Sequence, residues 1–274
     1  MKEKIKRYVI FTAVAASFLF GRTPTVPEGK AEVHFIDVGQ GDCELIRTHD
    51  ANVLIDAGTT DARYRTADYV KHHAQGIDLM ILTHPHEDHI GGAADVIEAV
   101  FVNELMTNGG TSDEACFARL AKAAGERGVP VTVAVTGKSV TFGDLTITIV
   151  SDGTDSGNEN DASIVVRADF GECSFLFTGD AEEAAEEEML ASSRALLDCD
   201  VLKAGHHGSA TSTSEAFLAA VTPDIAVIEV GRDNDYGHPA AALLDRLADM
   251  RVLRTDRDGT VVVETDGKTL AVVN

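Results

Sequence analysis

One short loop constrains this chain more than any other feature, because four metal-capable side chains fall within it in the pattern His-x-His-x-Asp-His. These residues are His84, His86, Asp88 and His89. The apolar run 77–82 predicts a buried strand before the loop, and residues 93–100 predict a helix after it. The four side chains are therefore expected at the carboxyl end of a strand, where open α/β sheets commonly place their sites.

Two metal ions are the expectation for this loop. Alternate residues of an extended segment point the same way, so His84 and His86 can share one ion, and Asp88 and His89 can turn to a second. Imidazole and carboxylate ligands suit zinc, manganese or iron better than calcium or magnesium. A single loop histidine is more often ordinary polar surface, but three histidines and an aspartate at this spacing favour metal binding.

The rest of the chain predicts strands in groups with helices between them, a pattern typical of two sheets packed face to face with helices outside. Residues 101–106 predict one strand, and residues 111–127 and 181–197 predict helices. Gly91 and Gly92, at the end of the metal loop, let the backbone approach its neighbours closely.

Four further segments accompany the metal loop, and together with it they resemble a known family. They are residues 33–43, 177–181, 202–209 and 236–239. From about Ala31 to the C-terminus the chain is similar to the metallo-β-lactamase superfamily and, more narrowly, to the hydrolase domain of ComEC-type DNA-uptake competence proteins. The resemblance implies an α+β fold of the metallo-β-lactamase type, an αββα sandwich in which helices flank two mixed β-sheets.

The resemblance also implies roles for residues outside the loop. Asp180 would bridge the two metals, although an aspartate before a predicted helix is also a common N-cap. His206 would be the last ligand of the second metal and His207 a substrate-facing donor or general acid, with the reverse assignment left open. His238 would contact the substrate or serve as the reserve ligand. The residues expected to act in catalysis are therefore Asp88, His207 and His238.

One segment departs from the superfamily pattern, since a third histidine for the first metal is expected shortly before Asp180 and residues 158–163 contain none. Asn160 is a candidate weak ligand or substrate contact, and Ser163 of the same segment is a candidate substrate contact. Loss of an imidazole should weaken the first site or favour manganese over zinc. Beneath the site, either Asp42 or Asp37 is expected to orient a ligating histidine.

Composition bears on the substrate and on the redox environment. The chain of 274 residues has 45 acidic and 23 basic residues and a formal net charge of −22. Tight nonspecific binding of nucleic acid needs clustered Lys and Arg, which residues 31–274 lack, although metal ions can create a local phosphate site. The four cysteines follow no paired pattern, so buried free thiols are expected.

Residues 1–30 are expected to lie outside the hydrolase domain, which would span residues 31–274. A basic start and the apolar run 8–20 are typical of a signal peptide or a short N-terminal membrane anchor, and residues 21–30 of a linker. The segment therefore predicts an extracytoplasmic protein, either secreted or held at the membrane by its N-terminus.

The sequence thus predicts an exported hydrolase with two divalent transition-metal ions, zinc or manganese, whose bridging water attacks a phosphodiester. The ComEC resemblance implies a nuclease, with single-stranded DNA as the specific substrate. One alternative is hydrolysis of another ester, such as a phosphorylcholine ester, a lactone or a β-lactam. The other is a metal-binding accessory protein of DNA uptake without activity. The sequence indicates no protein partner.

Overall fold

Two large β-sheets form the centre of the computed structural model, which describes residues 25–153 and 157–273. The strands are β1 (Ala31–Phe35), β2 (Glu44–Thr48), β3 (Asn52–Ile55), β4 (Gly76–Ile77), β5 (Leu79–Leu82), β6 (Phe101–Val102), β7 (Leu105–Thr107), β8 (Val131–Val133), β9 (Ser139–Phe142), β10 (Leu145–Ser151), β11 (Val165–Phe170), β12 (Cys173–Phe177), β13 (Val201–Lys203), β14 (Ile225–Ile228), β15 (Arg251–Arg254), β16 (Val261–Thr265) and β17 (Leu270–Val273). The helices are α1 (Arg63–His73), α2 (Glu87–Ile90), α3 (Ala93–Ala99), α4 (Ala115–Arg127), α5 (Glu183–Ser192), α6 (Glu215–Val221), α7 (Ala241–Arg246) and α8 (Thr255–Asp258).

Each sheet is antiparallel in one half and parallel in the other. The first has the order β17-β16-β1-β2-β3-β5-β7-β8, and the second β15-β14-β13-β12-β11-β10-β9. Strands β3, β5, β7 and β8 run parallel to one another, as do β12, β13, β14 and β15. The two mixed sheets confirm the predicted sheet composition.

Three apolar layers hold the sandwich together. Along β5, Leu79 and Ile81 enter the core between the sheets, whereas Met80 and Leu82 pack on the side of helices α1, α3 and α4. Strands that are buried on both faces read as continuous apolar runs, which is why this strand was visible in the sequence. Phe35 and Phe177 meet between the sheets with ring centroids 5.9 Å apart, and α5, α6 and α7 cover the second sheet. The helices outside both sheets confirm the αββα expectation.

Several predicted boundaries are wrong. The predicted strand 101–106 is two short strands, β6 and β7, because β6 pairs with β4 whereas β7 enters the large sheet. The helix predicted for residues 111–127 begins at Ala115, since Glu114 is still extended. The helix predicted for residues 181–197 is observed as α5, which ends at Ser192. A separate 3₁₀ turn, Arg194–Leu196, follows it.

The predicted signal or anchor lies almost wholly outside the described residues, and β1 begins at Ala31. Within residues 25–153 and 157–273, none of the helices has the length and apolarity needed to cross a membrane. All four cysteines are buried and free, as the sequence predicts.

Candidate functional site

The loop between β5 and α3 folds tightly against its neighbours. It contains the single-turn helix α2, and both His84 and His89 are buried in it. A Cβ atom on Gly91 would lie 2.5 Å from the Glu87 carbonyl oxygen, and one on Gly92 would collide with the Ala57 carbonyl oxygen. The expected close approach at both glycines is therefore confirmed.

Asp180 lies at the centre of the histidines, three residues after the end of β12. Its Oδ1 is 3.3 Å from His89 Nε2 and 3.5 Å from His207 Nε2. Its Oδ2 is 3.7 Å from His206 Nε2 and 4.0 Å from His84 Nε2. Helix α5 begins three residues later with Glu182 at the N-cap position, so Asp180 does not cap it. The carboxylate instead lies near imidazoles from two loops, which follow the parallel strands β5 and β13.

One group of side chains is suited to hold a cation. Asp88, His89, Asp180 and His207 each offer a ligand atom, and these atoms lie within 4.8 Å of one another. His89 Nε2 and Asp180 Oδ1 are buried and, within the described part of the chain, form no hydrogen bond, either with each other at 3.3 Å or with another residue. An unpaired buried acceptor is costly, and a bound cation would satisfy both atoms. The residues present therefore fit a divalent metal.

The paired histidines occupy the reverse of their expected positions. His207 is 2% exposed, and its Nδ1–H faces the Glu229 carbonyl oxygen and Asp42 Oδ1, both at 3.1 Å. Since both partners accept, Nε2 is left facing Asp88 Oδ2 at 3.2 Å. His206 is 24% exposed and lines the cavity above. The structure thus places His207, and not His206, beside Asp88 and His89, because the backbone turn buries the second histidine. This placement favours the reverse assignment that the sequence left open.

Asp56 is a hydrogen-bond partner of His89 that the sequence did not predict. Its Oδ2 accepts from His89 Nδ1 and from the Thr83 hydroxyl, both at 2.7 Å, and its Oδ1 accepts from the Thr83 backbone N–H at 2.8 Å. Asp42 contacts His207, as expected for one of the two candidate carboxylates. The assignment to Asp37 is wrong, because its exposed side chain accepts from the Gly39 N–H of its own turn. The available signal for Asp56 was its place directly after a strand parallel to β5.

The other half of the loop meets the segment that lacks the expected histidine. His84 Nε2 lies 2.9 Å from His86 Nδ1, and His86 Nε2 donates to Glu159 Oε2 at 2.8 Å. Ser163 Oγ is 3.1 Å from His84 Nδ1 and accepts from the Asp180 N–H at 3.0 Å. Ser163 is 1% exposed. The hydroxyl thus supports the site from behind, and the expected contact of Ser163 with substrate stays a prediction.

A cavity of about 530 Å³ opens above these residues. It is lined by Gln40, Thr59, His86, Glu87, Asp88, Glu114, Asn160, Asp180, His206, His207, Tyr236 and His238. No Lys or Arg is among these lining residues, and two of them, Glu87 and Glu114, carry acid on one wall. The exposed Tyr236 ring stacks on His238, and the His238 and His206 ring centroids lie 5.6 Å apart. Asn160 and His238 thus line the cavity, as expected of substrate contacts.

The protonation of the site follows from burial and from these neighbours. Burial alone would lower the pKa of His207, but Asp180 and Asp42 raise it to about 10. Burial alone would raise the pKa of Asp180, but the His207 and His89 charges hold it well below its usual range. Burial and the nearby His89 lower the pKa of His84. A metal ligand must lose its proton, so binding of a cation at His207 would release one.

A group of buried ionisable side chains lies beneath the site, and the sequence did not predict it. Lys203, the last residue of β13, forms an ion pair with Asp42 and donates to the Gly179 carbonyl oxygen at 2.8 Å. Glu44 and Glu229 complete a group of three carboxylates with Asp42. Burial, with the Asp42 charge, raises the pKa of Glu229 to about 8, and burial beside Glu229 raises that of Glu44. Beneath the site, the ion pair with Lys203 thus fixes the Asp42 carboxylate that orients His207.

Three curated proteins resemble this chain over most of its length, and they are ComEC-type competence proteins. ComE operon protein 3 of Bacillus subtilis is 34% identical over 254 residues, covering 85% of this chain and 33% of that protein. Recombination protein 2 of Haemophilus influenzae is 34% identical over 222 residues, with coverages of 79% and 26%. Competence protein ComA of Neisseria gonorrhoeae is 32% identical over 251 residues, with coverages of 90% and 34%. The chain spans about a quarter to a third of these relatives.

Solved structures share the fold at low sequence identity. The metallo-β-lactamase fold protein YhfI from Bacillus subtilis is 14% identical, with a TM-score of 0.58 over 86% of this chain and 100% of that one. CmlA, a diiron β-hydroxylase from Streptomyces venezuelae, is 15% identical, with a TM-score of 0.56 over 84% of this chain and 53% of that one. The fold and its His/Asp group support a metal-dependent hydrolase. Because the metallo-β-lactamase superfamily model also matches residues 36–231, the chain belongs to that superfamily.

Proposed function

We propose that this protein hydrolyses a phosphodiester with two divalent transition-metal ions, zinc or manganese. Asp88, His89, Asp180 and His207 would hold the second ion, and His84, His86 and Asp180 would contribute to the first. One observation carries the proposal: two buried ligand atoms at the floor of an open cavity, His89 Nε2 and Asp180 Oδ1, form no hydrogen bond with any described residue. Two such ions supply Lewis acidity and an activated water when bound.

The protein's own side chains would orient the substrate and manage protons. The Asp42 carboxylate and the Glu229 carbonyl oxygen keep a proton on His207 Nδ1, which turns Nε2 towards the site. Burial and the neighbouring His206 lower the pKa of His238, so its imidazole is neutral near pH 7. A neutral His238 at the cavity wall is placed to hydrogen-bond the phosphoryl group or to pass a proton to the leaving oxygen. Asn160, on the same cavity, would contact a phosphoryl oxygen.

Two substrate classes have separate support. The relatives are named for competence and recombination, which supports single-stranded DNA as the substrate. The cavity, however, has Glu87 and Glu114 on one wall and no Lys or Arg among its lining residues, which favours a small or weakly charged ester. A phosphorylcholine ester is such a substrate, and lactones and β-lactams are uncharged or weakly charged at the reacting bond.

A substrate panel tests the proposal directly. Purified protein loaded with zinc or manganese is assayed with bis-p-nitrophenyl phosphate, single-stranded DNA, a phosphorylcholine ester and nitrocefin. We expect hydrolysis of the phosphodiesters and its loss in Asp180→Asn, which keeps the shape but removes the central charge. Turnover of nitrocefin alone would reject a phosphoesterase. Metal binding without turnover of any substrate would favour the accessory-protein alternative.

We further propose that the hydrolase domain works outside the cytoplasm, where residues 1–30 would bring it and contact the membrane or be removed. The support is the basic start and the apolar run 8–20. A reporter fused after Lys30 and active only in an exported compartment is expected to be active. Activity of a strictly cytoplasmic reporter at the same position would reject this location.

A further inference from the structure

The two oxygens of Asp180 divide the surrounding imidazoles into two pairs. Oδ1 faces His89 and His207 at 3.3 and 3.5 Å, whereas Oδ2 faces His206 and His84 at 3.7 and 4.0 Å. His84 Nε2 in turn adjoins His86 Nδ1 at 2.9 Å. His206 therefore lies on the same side of Asp180 as His84 and His86, the proposed ligands of the first ion, and not on the side of Asp88.

His206 is oriented as ligating histidines usually are. Its Nδ1–H donates to Glu182 Oε1 at 3.0 Å, which leaves Nε2 for Asp180 Oδ2. Glu182 is itself fixed by hydrogen bonds from Thr211 Oγ1 and Asn158 Nδ2. Histidines that bind metals almost always donate their other ring nitrogen to a carboxylate, a carbonyl or water, which fixes the tautomer. A cavity histidine serving only the substrate needs no such partner.

The backbone explains how adjacent histidines reach the same carboxylate. Neighbouring side chains of an extended segment point to opposite faces. Here both residues are in the left-handed region, with φ of 46° at His206 and 51° at His207. Non-glycine residues in this conformation are strained and cluster at functional sites. The turn therefore presents one imidazole to each oxygen of Asp180.

We propose that His206 supplies the first metal site with the imidazole that residues 158–163 lack, while His207 belongs to the second site. The inference rests on the proposed two-metal function. Ser163 cannot fill the same place, because its hydroxyl is already shared by His84 Nδ1 and the Asp180 N–H. The ligand atoms of the second set all lie within 4.8 Å of one another, whereas those of the first set do not, so the first ion should be held more weakly.

Cadmium-113 NMR of the purified, folded protein separates the two sites without any activity measurement. We expect two resonances in the wild type, one for each ion. His206→Ala should lose or shift the same resonance as His84→Ala, and His207→Ala the same resonance as His89→Ala. His238→Ala is the matched control, since it removes an imidazole from the same cavity wall and should keep both resonances. Glu182→Gln should lower the metal affinity of the site that contains His206 by about 10–100-fold.

The outcomes distinguish this assignment from the proposed function. If His206→Ala keeps both resonances with native circular dichroism, His206 is only a substrate contact and the inference fails. If it removes the His89 resonance, His206 belongs to the second site and the inference also fails. A wild-type protein that binds no metal overturns the two-metal function itself, and the inference with it.

Discussion

Five histidines of the site each direct one ring nitrogen towards the ligand group and bind a partner with the other. The partners are Ser163 for His84, Glu159 for His86, Asp56 for His89, Glu182 for His206, and Asp42 with the Glu229 carbonyl for His207. The histidines could be predicted because their spacing is local. Their partners could not, since most lie tens of residues away and become neighbours only when the strands align.

Asp56 provides a test at this scale. Replacement by Asn keeps the size of the side chain but removes the charge that fixes His89 Nδ1–H. We expect metal affinity to fall by about 10–100-fold, the usual effect of losing an outer partner. Chelator competition with a fluorescent zinc indicator measures it. Asp37→Asn is the control, and equal loss in both variants would contradict a specific role for Asp56.

The buried Glu229 should give stability a measurable pH dependence. Its pKa is raised to about 8 in the folded protein from an ordinary value of 4.5. Between these values the folded state holds a proton that the unfolded state has lost, so the free energy of unfolding falls as pH rises, by up to about 1.4 kcal/mol per pH unit. Stability from this group is complete below about pH 4.5 and is lost as pH rises through about 8.

Urea denaturation with a metal chelator, at several pH values between about 5 and 8, measures this slope. Glu229→Gln should flatten the dependence relative to the wild type, because glutamine does not titrate. His207 contributes in the same direction at higher pH, since its pKa is raised to about 10, but that contribution is common to both proteins. Parallel curves for the two proteins would show that Glu229 keeps an ordinary pKa.

At the scale of elements, the site lies where parallel strands end. Asp56, His84, Asp180, His206 and Glu229 all follow the carboxyl ends of strands in the parallel halves of the two sheets. Apolar runs revealed these strands, because parallel strands are buried on both faces. A strand as short as β6 cannot be separated from its neighbour in the sequence, because two residues are too few to show a hydrophobic periodicity.

The packing of α2 against the loop after β3 depends on Gly91. A Cβ there would lie 2.5 Å from the Thr59 carbonyl carbon and would also collide with the Thr60 backbone nitrogen. Gly91→Ala should therefore cost about 1–3 kcal/mol of unfolding free energy through overpacking. Gly125→Ala is the matched control, because nothing lies within 4 Å of its added Cβ in α4 and it should stabilise by about 0.5–1 kcal/mol. Equal effects in urea denaturation would refute the packing argument.

At the scale of the whole molecule, the pattern of elements indicates two packed sheets with helices outside, but the αββα sandwich of the metallo-β-lactamase type could be anticipated only from the family resemblance. Hydrophobic pattern indicates which residues are buried, but it does not tell which strand pairs with which. The pairing of β1 with β16 joins segments more than two hundred residues apart, for example Phe35 with Val261. The charge of the molecule, in contrast, is fully readable from composition, and it bears on the substrate.

A net charge of −22 and a cavity wall with Glu87 and Glu114 should repel a polyanion. Salt screens such repulsion, with a Debye length of about 10 Å at 0.1 M. A single-stranded oligonucleotide should therefore inhibit hydrolysis of bis-p-nitrophenyl phosphate more strongly as sodium chloride rises from about 20 to about 200 mM. The small substrate carries one charge, so its own kcat/KM should change little. Basic DNA-binding proteins show the opposite dependence, because they release counterions from phosphates. An inhibition constant for the oligonucleotide that rises steeply with salt would therefore reveal a cationic DNA-binding surface and would favour the nuclease over the small-ester hydrolase.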